Sequence, residues 1–189
     1  MSVNLPDFAD LKTALANRSI VLVGLMGAGK TSVGRRLSQI LDLPFVDADL
    51  EIEEAAGCTI ADFFEIYGEP AFREGEERVI DRLLKQGSQI LSTGGGAFMS
   101  DTTRERISEH GVSVWLDTDL DTLIKRTSRR NDRPLLNTAD PAETLRTLME
   151  TRNPTYEKAD VHLVSGTETV DNSAKLVIRA IADYLGLTN

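Results

Sequence analysis

A single cysteine, Cys58, stands among 189 residues. No internal disulfide and no thiolate zinc cluster can therefore be built, and Cys58 reads as an ordinary, partly buried residue. Histidine is almost as scarce. His110 precedes a glycine at a predicted helix end and His162 alternates within a predicted strand, so neither is assigned chemistry. No apolar run approaches the roughly 18 residues that cross a bilayer. Residues 1–17 lack a basic segment followed by an apolar core, so no secretory signal is read. No membrane partner and a cytoplasmic location are expected. Positive charge is also in deficit: 21 Lys and Arg against 30 Asp and Glu leave a net charge of -9, which disfavours nucleic acid as a partner. Repeats, low-complexity stretches and linkers are missing, and 41% apolar residues suffice for one sizeable core, so residues 1–189 read as one domain.

Against this background one stretch stands out. Gly24-Leu25-Met26-Gly27-Ala28-Gly29-Lys30-Thr31 fits the phosphate-binding loop pattern at every fixed position. The run before it, Ile20 to Val23, reads as a buried strand. After it, Val33, Leu37, Ile40 and Leu41 recur at helical spacing. The loop thus leads from a strand into a helix N-terminus, where glycines let several N–H groups converge and the helix adds unpaired donors. Lys30 offers a cation to the β- and γ-phosphates, and Thr31 a hydroxyl to the Mg²⁺ that bridges them.

The rest of the chain alternates strand and helix. A short amphipathic helix over 6–16 precedes the first strand. Later strands are expected at Leu43–Val46, Gln89–Ser92, Val112–Leu116 and Asp160–Val164. Helices are expected from Leu50 to Ala56, from Thr59 as cap to Gly68, and from Pro70 to near Gly87. Further helices start at Ser100 or Asp101 and at Asp119 or Asp121. Asp140-Pro141-Ala142-Glu143 opens another that Asn153-Pro154 should stop near Arg152, and Asp171 is expected to cap the last. Alternation of this kind predicts an α/β fold: parallel strands, right-handed crossovers, and ligands beyond the strands' carboxyl ends.

Three features follow strand ends and should share that cleft. Asp47 and Asp49 lie two apart, and in an extended segment both would face the phosphate, one through Mg²⁺ water and one toward an incoming hydroxyl. Gly94, Gly95 and Gly96 leave backbone N–H groups open to close approach. An acid after the third strand, where many phosphate-loop proteins hold Mg²⁺, is missing, so Asp47 is the better metal residue. Lys125, Arg126, Arg129, Arg130 and Arg133 fall within nine residues of an acidic chain. Such a cluster suits either a lid over a triphosphate or a solvated charged face. Arg73 and Arg152 sit on helices with apolar neighbours, and either reads equally well as a surface arginine.

Taken together these motifs resemble the shikimate kinases over about residues 18–186. The resemblance rests on the phosphate loop, Asp47-Ala48-Asp49, Phe72-Arg73 with Glu76-Glu77, Thr93-Gly94-Gly95-Gly96, Arg133-Pro134-Leu135-Leu136 and Arg152-Asn153-Pro154-Thr155-Tyr156, in the family's order. It implies a three-layer α/β/α phosphate-loop kinase fold like that of nucleoside monophosphate kinases, with a five-stranded parallel sheet in the order 2-3-1-4-5. Residues 1–17 would be an N-terminal extension, about 50–87 a substrate-binding region and about 126–138 a lid. The implied activity is ATP-dependent phosphorylation of the 3-hydroxyl of shikimate, giving shikimate 3-phosphate and ADP, a step of aromatic amino-acid biosynthesis. Gluconate kinase and a nucleotide-dependent switch are the alternatives.

By the same resemblance Gly27, Ala28, Gly29, Lys30, Thr31 and Ser32 hold ATP, and Thr31 and Asp47 serve Mg²⁺. Asp49 contacts the reacting hydroxyl as candidate base. Arg73 and Arg152 hold the substrate carboxylate, and Gly94, Gly95 and Gly96 line the pocket with Phe64, Phe72 and Glu76 around it. Arg126 packs near the adenine, and Arg133 in the lid reaches the transferring phosphate. Shikimate and ATP are the expected partners of a monomer. Within 166–170, where the family completes its adenine site, no residue is assigned.

Overall fold

A computed structural model describes residues 6–128, 140–166 and 168–187. Strands Ser19–Val23 (β1), Phe45–Asp47 (β2), Ile90–Ser92 (β3), Gly111–Thr118 (β4) and Val161–Ser165 (β5) form one sheet in the order β2-β3-β1-β4-β5. Every adjacent pair is parallel. The helices are Phe8–Leu15 (α1), Lys30–Leu41 (α2), Ala48–Ala56 (α3), Ile60–Leu84 (α4), Asp101–His110 (α5), Leu120–Thr127 (α6), Pro141–Tyr156 (α7) and Val170–Tyr184 (α8). Over the sheet α2 packs with α8, and α4 with α5, which gives the layered α/β/α arrangement. Among the described residues no helix is long and apolar enough to cross a membrane.

Position in the sheet explains the strand patterns. Central β1 is buried at all its residues, hence its unbroken apolar run. Edge strand β5 is buried only at its ends, Val161 and Ser165, and alternates between them. Leu11 and Leu15 of α1 join the core, so the segment ahead of β1 is packed against it. Because β1 pairs with both β3 and β4, the phosphate loop after β1 and the glycine triplet after β3 emerge side by side.

Three local expectations need correction. β2 runs straight into α3, and the Asp47 side chain caps that helix by accepting the Asp49 N–H at 3.2 Å. Asp49 is therefore helical, and the two acids do not share a face of an extended segment; a capping aspartate won over strand continuation. The break expected at Gly68, by contrast, is present: within Ile60–Leu84 that residue takes the non-helical φ 77° and ψ 171°, so two helical segments meet there at a kink. α7 does not stop before Pro154 but continues to Tyr156. Glu150, whose carbonyl the proline ring cannot reach with an N–H, is exposed, and buried Tyr156 holds the last turn down. Finally, Thr169 caps α8 by accepting the Asn172 N–H, while Asp171 lies in the first turn and pairs with Arg36 and Lys175.

Candidate active site

The phosphate loop turns through three glycines of positive φ, Gly24, Gly27 and Gly29. Gly24 is the tightest of them: a Cβ there would come within 2.9 Å of the Leu116 carbonyl oxygen. Lys30 opens α2 and folds back over its own loop. Its ammonium donates to the carbonyls of Gly24 (2.7 Å) and Leu25 (3.0 Å). Thr31, the next residue, donates its hydroxyl to Asp47 Oδ2 at 3.0 Å. The strand order has thus brought together two oxygen-bearing side chains sixteen positions apart in sequence.

A cleft of about 390 Å³ opens in front of this loop. Gly27, Ala28, Gly29, Lys30, Thr31 and Ser32 line it, with Asp47 and Asp49 on one side and Arg126 on the other. Arg126 is fastened to backbone: it donates to the carbonyls of Gly27 (3.2 Å) and Gly166 (2.7 Å), bridging the phosphate loop and the segment after β5. The cleft also holds Glu168, which sequence reasoning left without a role. Its Oε2 accepts the Gly166 N–H at 2.8 Å, which lowers its pKa.

On the other side of Asp49 stands the glycine triplet. A Cβ on Gly94 would lie 2.9 Å from Asp49 Oδ1 and 2.8 Å from Glu76 Oε1. On Gly95 it would lie 3.7 Å from Arg152 Nη1, and on Gly96 only 2.5 Å from the Arg73 guanidinium. Three consecutive positions without side chains thus admit two carboxylates and two guanidiniums at contact distance. Arg73 donates to Glu76 at 2.7 Å and to Glu69 at 3.0 Å, and lies over the Phe72 ring. The Glu76 side chain is 3% exposed. Burial pushes its carboxyl up, against the pull of Arg73 beside it.

Arg152, on α7, donates to the Gly95 carbonyl at 3.1 Å. The hydroxyl of Tyr156, one turn on, donates to the same oxygen. Tyr156 is a residue the sequence reading quoted but gave no role, since the helix was expected to end before it. The phosphate loop and the cluster of Arg73, Arg152 and the glycine triplet thus both come close to Asp49. That geometry suits transfer of a phosphoryl group to an acceptor that bears both a hydroxyl and a negative charge.

Residues 26–182 match the family model described as shikimate kinase. The chain belongs to the shikimate kinase family. It is 49% identical over 180 residues to the shikimate kinase of Rhodopseudomonas palustris, covering 95% of this chain and 89% of that one. To the shikimate kinase of Paramagnetospirillum magneticum it is 50% identical over 187 residues, covering 99% and 96%. Among solved structures, shikimate kinase from Acinetobacter baumannii in complex with shikimate superposes with a TM-score of 0.87 at 36% identity, covering 92% of this chain and 97% of that one. A gluconokinase from Sinorhizobium meliloti shares the fold at a TM-score of 0.56 and 18% identity. The alternatives of gluconate kinase and switch protein are accordingly not favoured.

Within this shikimate kinase the residues expected at the site fall into two groups. Lys30, Thr31, Asp47, Asp49 and Arg126 line the cleft; Arg73, Arg152 and the glycine triplet meet beside it. Phe72 is buried and Phe64 packs on it at a tilt of 41°, with ring centroids 4.6 Å apart. Arg133, and the expected lid beyond residue 128, lie outside the described residues.

Proposed function

We propose that the protein transfers the γ-phosphoryl group of ATP to the 3-hydroxyl of shikimate, giving shikimate 3-phosphate and ADP. The observation that carries this is the position of Asp49, between a lysine-bearing phosphate loop and a triplet flanked by Arg73 and Arg152. In this reading the acceptor's carboxylate is held by the two guanidiniums, which fix orientation as well as charge. Its 3-hydroxyl then faces Asp49. The hydroxyl oxygen bonds to the γ-phosphorus, the bond to the β-phosphate bridging oxygen breaks, and the hydroxyl proton passes to the Asp49 carboxylate. Lys30 neutralises charge that builds on the transferring group.

A kinase of this class works with a divalent metal, and we read it as Mg²⁺. Thr31 and Asp47 offer hard oxygen donors on the cleft wall, the donor type such an ion takes. Among the described residues no group of three or more His, Cys, Asp or Glu could cage a metal, which fits an ion completed by phosphates and water. When bound, held by Thr31 and Asp47, it would supply neutralisation of phosphate charge. We read the protein as a monomer, and use of ATP and a small metabolite supports a cytoplasmic location. In domain terms, we read α3 and α4 within about 50–87 as the acceptor side and residues 1–17 as an N-terminal extension, of which α1 packs on the core.

The test is ADP formation by purified protein with ATP and Mg²⁺, with and without shikimate. Strong stimulation by shikimate and weak stimulation by gluconate or AMP is expected. Equal stimulation by AMP or gluconate would end the assignment.

A further inference from the structure

One buried group near the acceptor pocket has no part in the chemistry above. Tyr156 is fully buried, yet its hydroxyl points at the site and donates to the Gly95 carbonyl. Arg152 donates to the same oxygen from Nη1, so the two side chains share one acceptor. Arg152 and Tyr156 are i and i+4 on α7, so they lie on one face of its last turn. The Tyr156 ring is held by stacking on Trp115, at 5.8 Å between centroids, and on Phe98, at 6.3 Å. It cannot follow a moving partner; its partners must conform to it. Burial pushes the phenol up to about 12, so the hydroxyl remains a donor at any pH where the enzyme works.

Gly95 is the middle of the triplet and lines the cleft. A Cβ on it would be 3.4 Å from the Met26 N–H nitrogen of the phosphate loop and 3.7 Å from Arg152 Nη1. Gly95 therefore sits between the phosphate loop and the arginine, and its carbonyl takes both the Arg152 and the Tyr156 donor. A long, mobile side chain such as Arg152 has many rotamers, and holding it in one before substrate arrives removes an ordering cost from binding. Resting on the shikimate kinase reading, we propose that Tyr156 is a positioning residue of the acceptor site: its hydroxyl sets the Gly95 carbonyl and the Arg152 guanidinium where the substrate carboxylate is received.

Tyr156→Phe tests this, because it keeps the stacked ring and removes only the hydroxyl. Losing the hydroxyl that fixes the acceptor shared with Arg152 should raise the KM for shikimate about 10-fold. kcat should stay within about twofold, and the KM for ATP should be unchanged. In the Arg152→Ala background the same substitution should add nothing further, since the group it positions is gone. A Phe variant with the wild-type shikimate KM, or with effects additive to Arg152→Ala, overturns the inference. So does a variant that loses stability and weakens ATP and shikimate alike, or that fails to fold, because the hydroxyl would then be a stability element only. These outcomes are read against wild-type protein that forms ADP in response to shikimate. Absence of that response in the wild type sinks the functional reading itself, and this inference with it.

Discussion

Adding one methyl group at Gly96 is a stringent trial of the acceptor pocket. The backbone there is ordinary, with φ -98° and ψ -15°, so alanine suffers no conformational strain. The obstacle is steric. The new Cβ would stand 2.5 Å from Cζ, Nη1 and Nη2 of Arg73. Comfortable contact begins near 3.5 Å, so the guanidinium must retreat by roughly 1 Å. It cannot retreat freely, because Nη1 is bonded to Glu76, whose side chain is only 3% exposed. A misplacement of about 1 Å in a binding group costs up to roughly 100-fold, or about 2.7 kcal/mol. Gly96→Ala should therefore lower kcat/KM for shikimate by about 10- to 100-fold, mostly through KM, while ATP affinity measured without shikimate is kept. Steady-state kinetics with shikimate varied, beside nucleotide titration and a thermal melt, separate these terms. Wild-type kcat/KM in this variant, with the fold intact, would show that Arg73 does not need its place against the triplet, and would refute the reasoning.

Other substitutions probe the remaining parts. Lys30→Ala should cut kcat by on the order of 100-fold or more, since it removes charge stabilisation that grows in the transition state; near-normal turnover would contradict that role. Asp49→Asn should reduce kcat severely with ATP binding retained, and a variant that turns over normally would exclude Asp49 as base or orienting group. Arg73→Ala and Arg152→Ala should each weaken shikimate use by roughly 2–5 kcal/mol, on the order of 30- to several-thousand-fold, with lysine rescuing only in part; unchanged shikimate affinity in both would move the pocket elsewhere. Glu76 carries a pH signature. Its carboxyl titrates above the ordinary value of 4.5 in the folded state, mainly through burial. As pH rises from about 4.5 through that higher value, the unfolded chain gives up this proton first, so the group's contribution to stability falls. Glu76→Gln removes the effect, and its stability relative to the parent should climb across that window; thermal melts showing a pH-independent difference would rule this out.

Much of the site was legible because its signals are local. The phosphate loop needs its glycines, Lys30 and Thr31 in one contiguous stretch between strand and helix, and the caps at Thr59, Asp119 and Asp140 act within three residues of themselves. What was misjudged depended on a neighbour. Asp49 turned from an extended continuation of the strand into the first turn of α3 because Asp47 caps that helix, and Pro154 was read as a stop because nothing adjacent in sequence announces that Tyr156 will be buried 61 positions from the carbonyl it binds. The arginines show the same divide. On composition alone Arg73 and Arg152 were indistinguishable from surface charges, and only the family's motif order suggested more.

The sequence by itself determined the elements, their alternation and the chemistry of the loop at Gly24 to Thr31, since strand periodicity, capping and glycine geometry are short-range properties. Tertiary structure alone decided which distant groups meet. Placing β1 between β3 and β4 sets the phosphate loop beside the glycine triplet, and the triplet's missing side chains let Arg73, Glu76, Asp49 and Arg152 close around it. Long-range contact of that kind follows from strand order and packing, which no local pattern encodes.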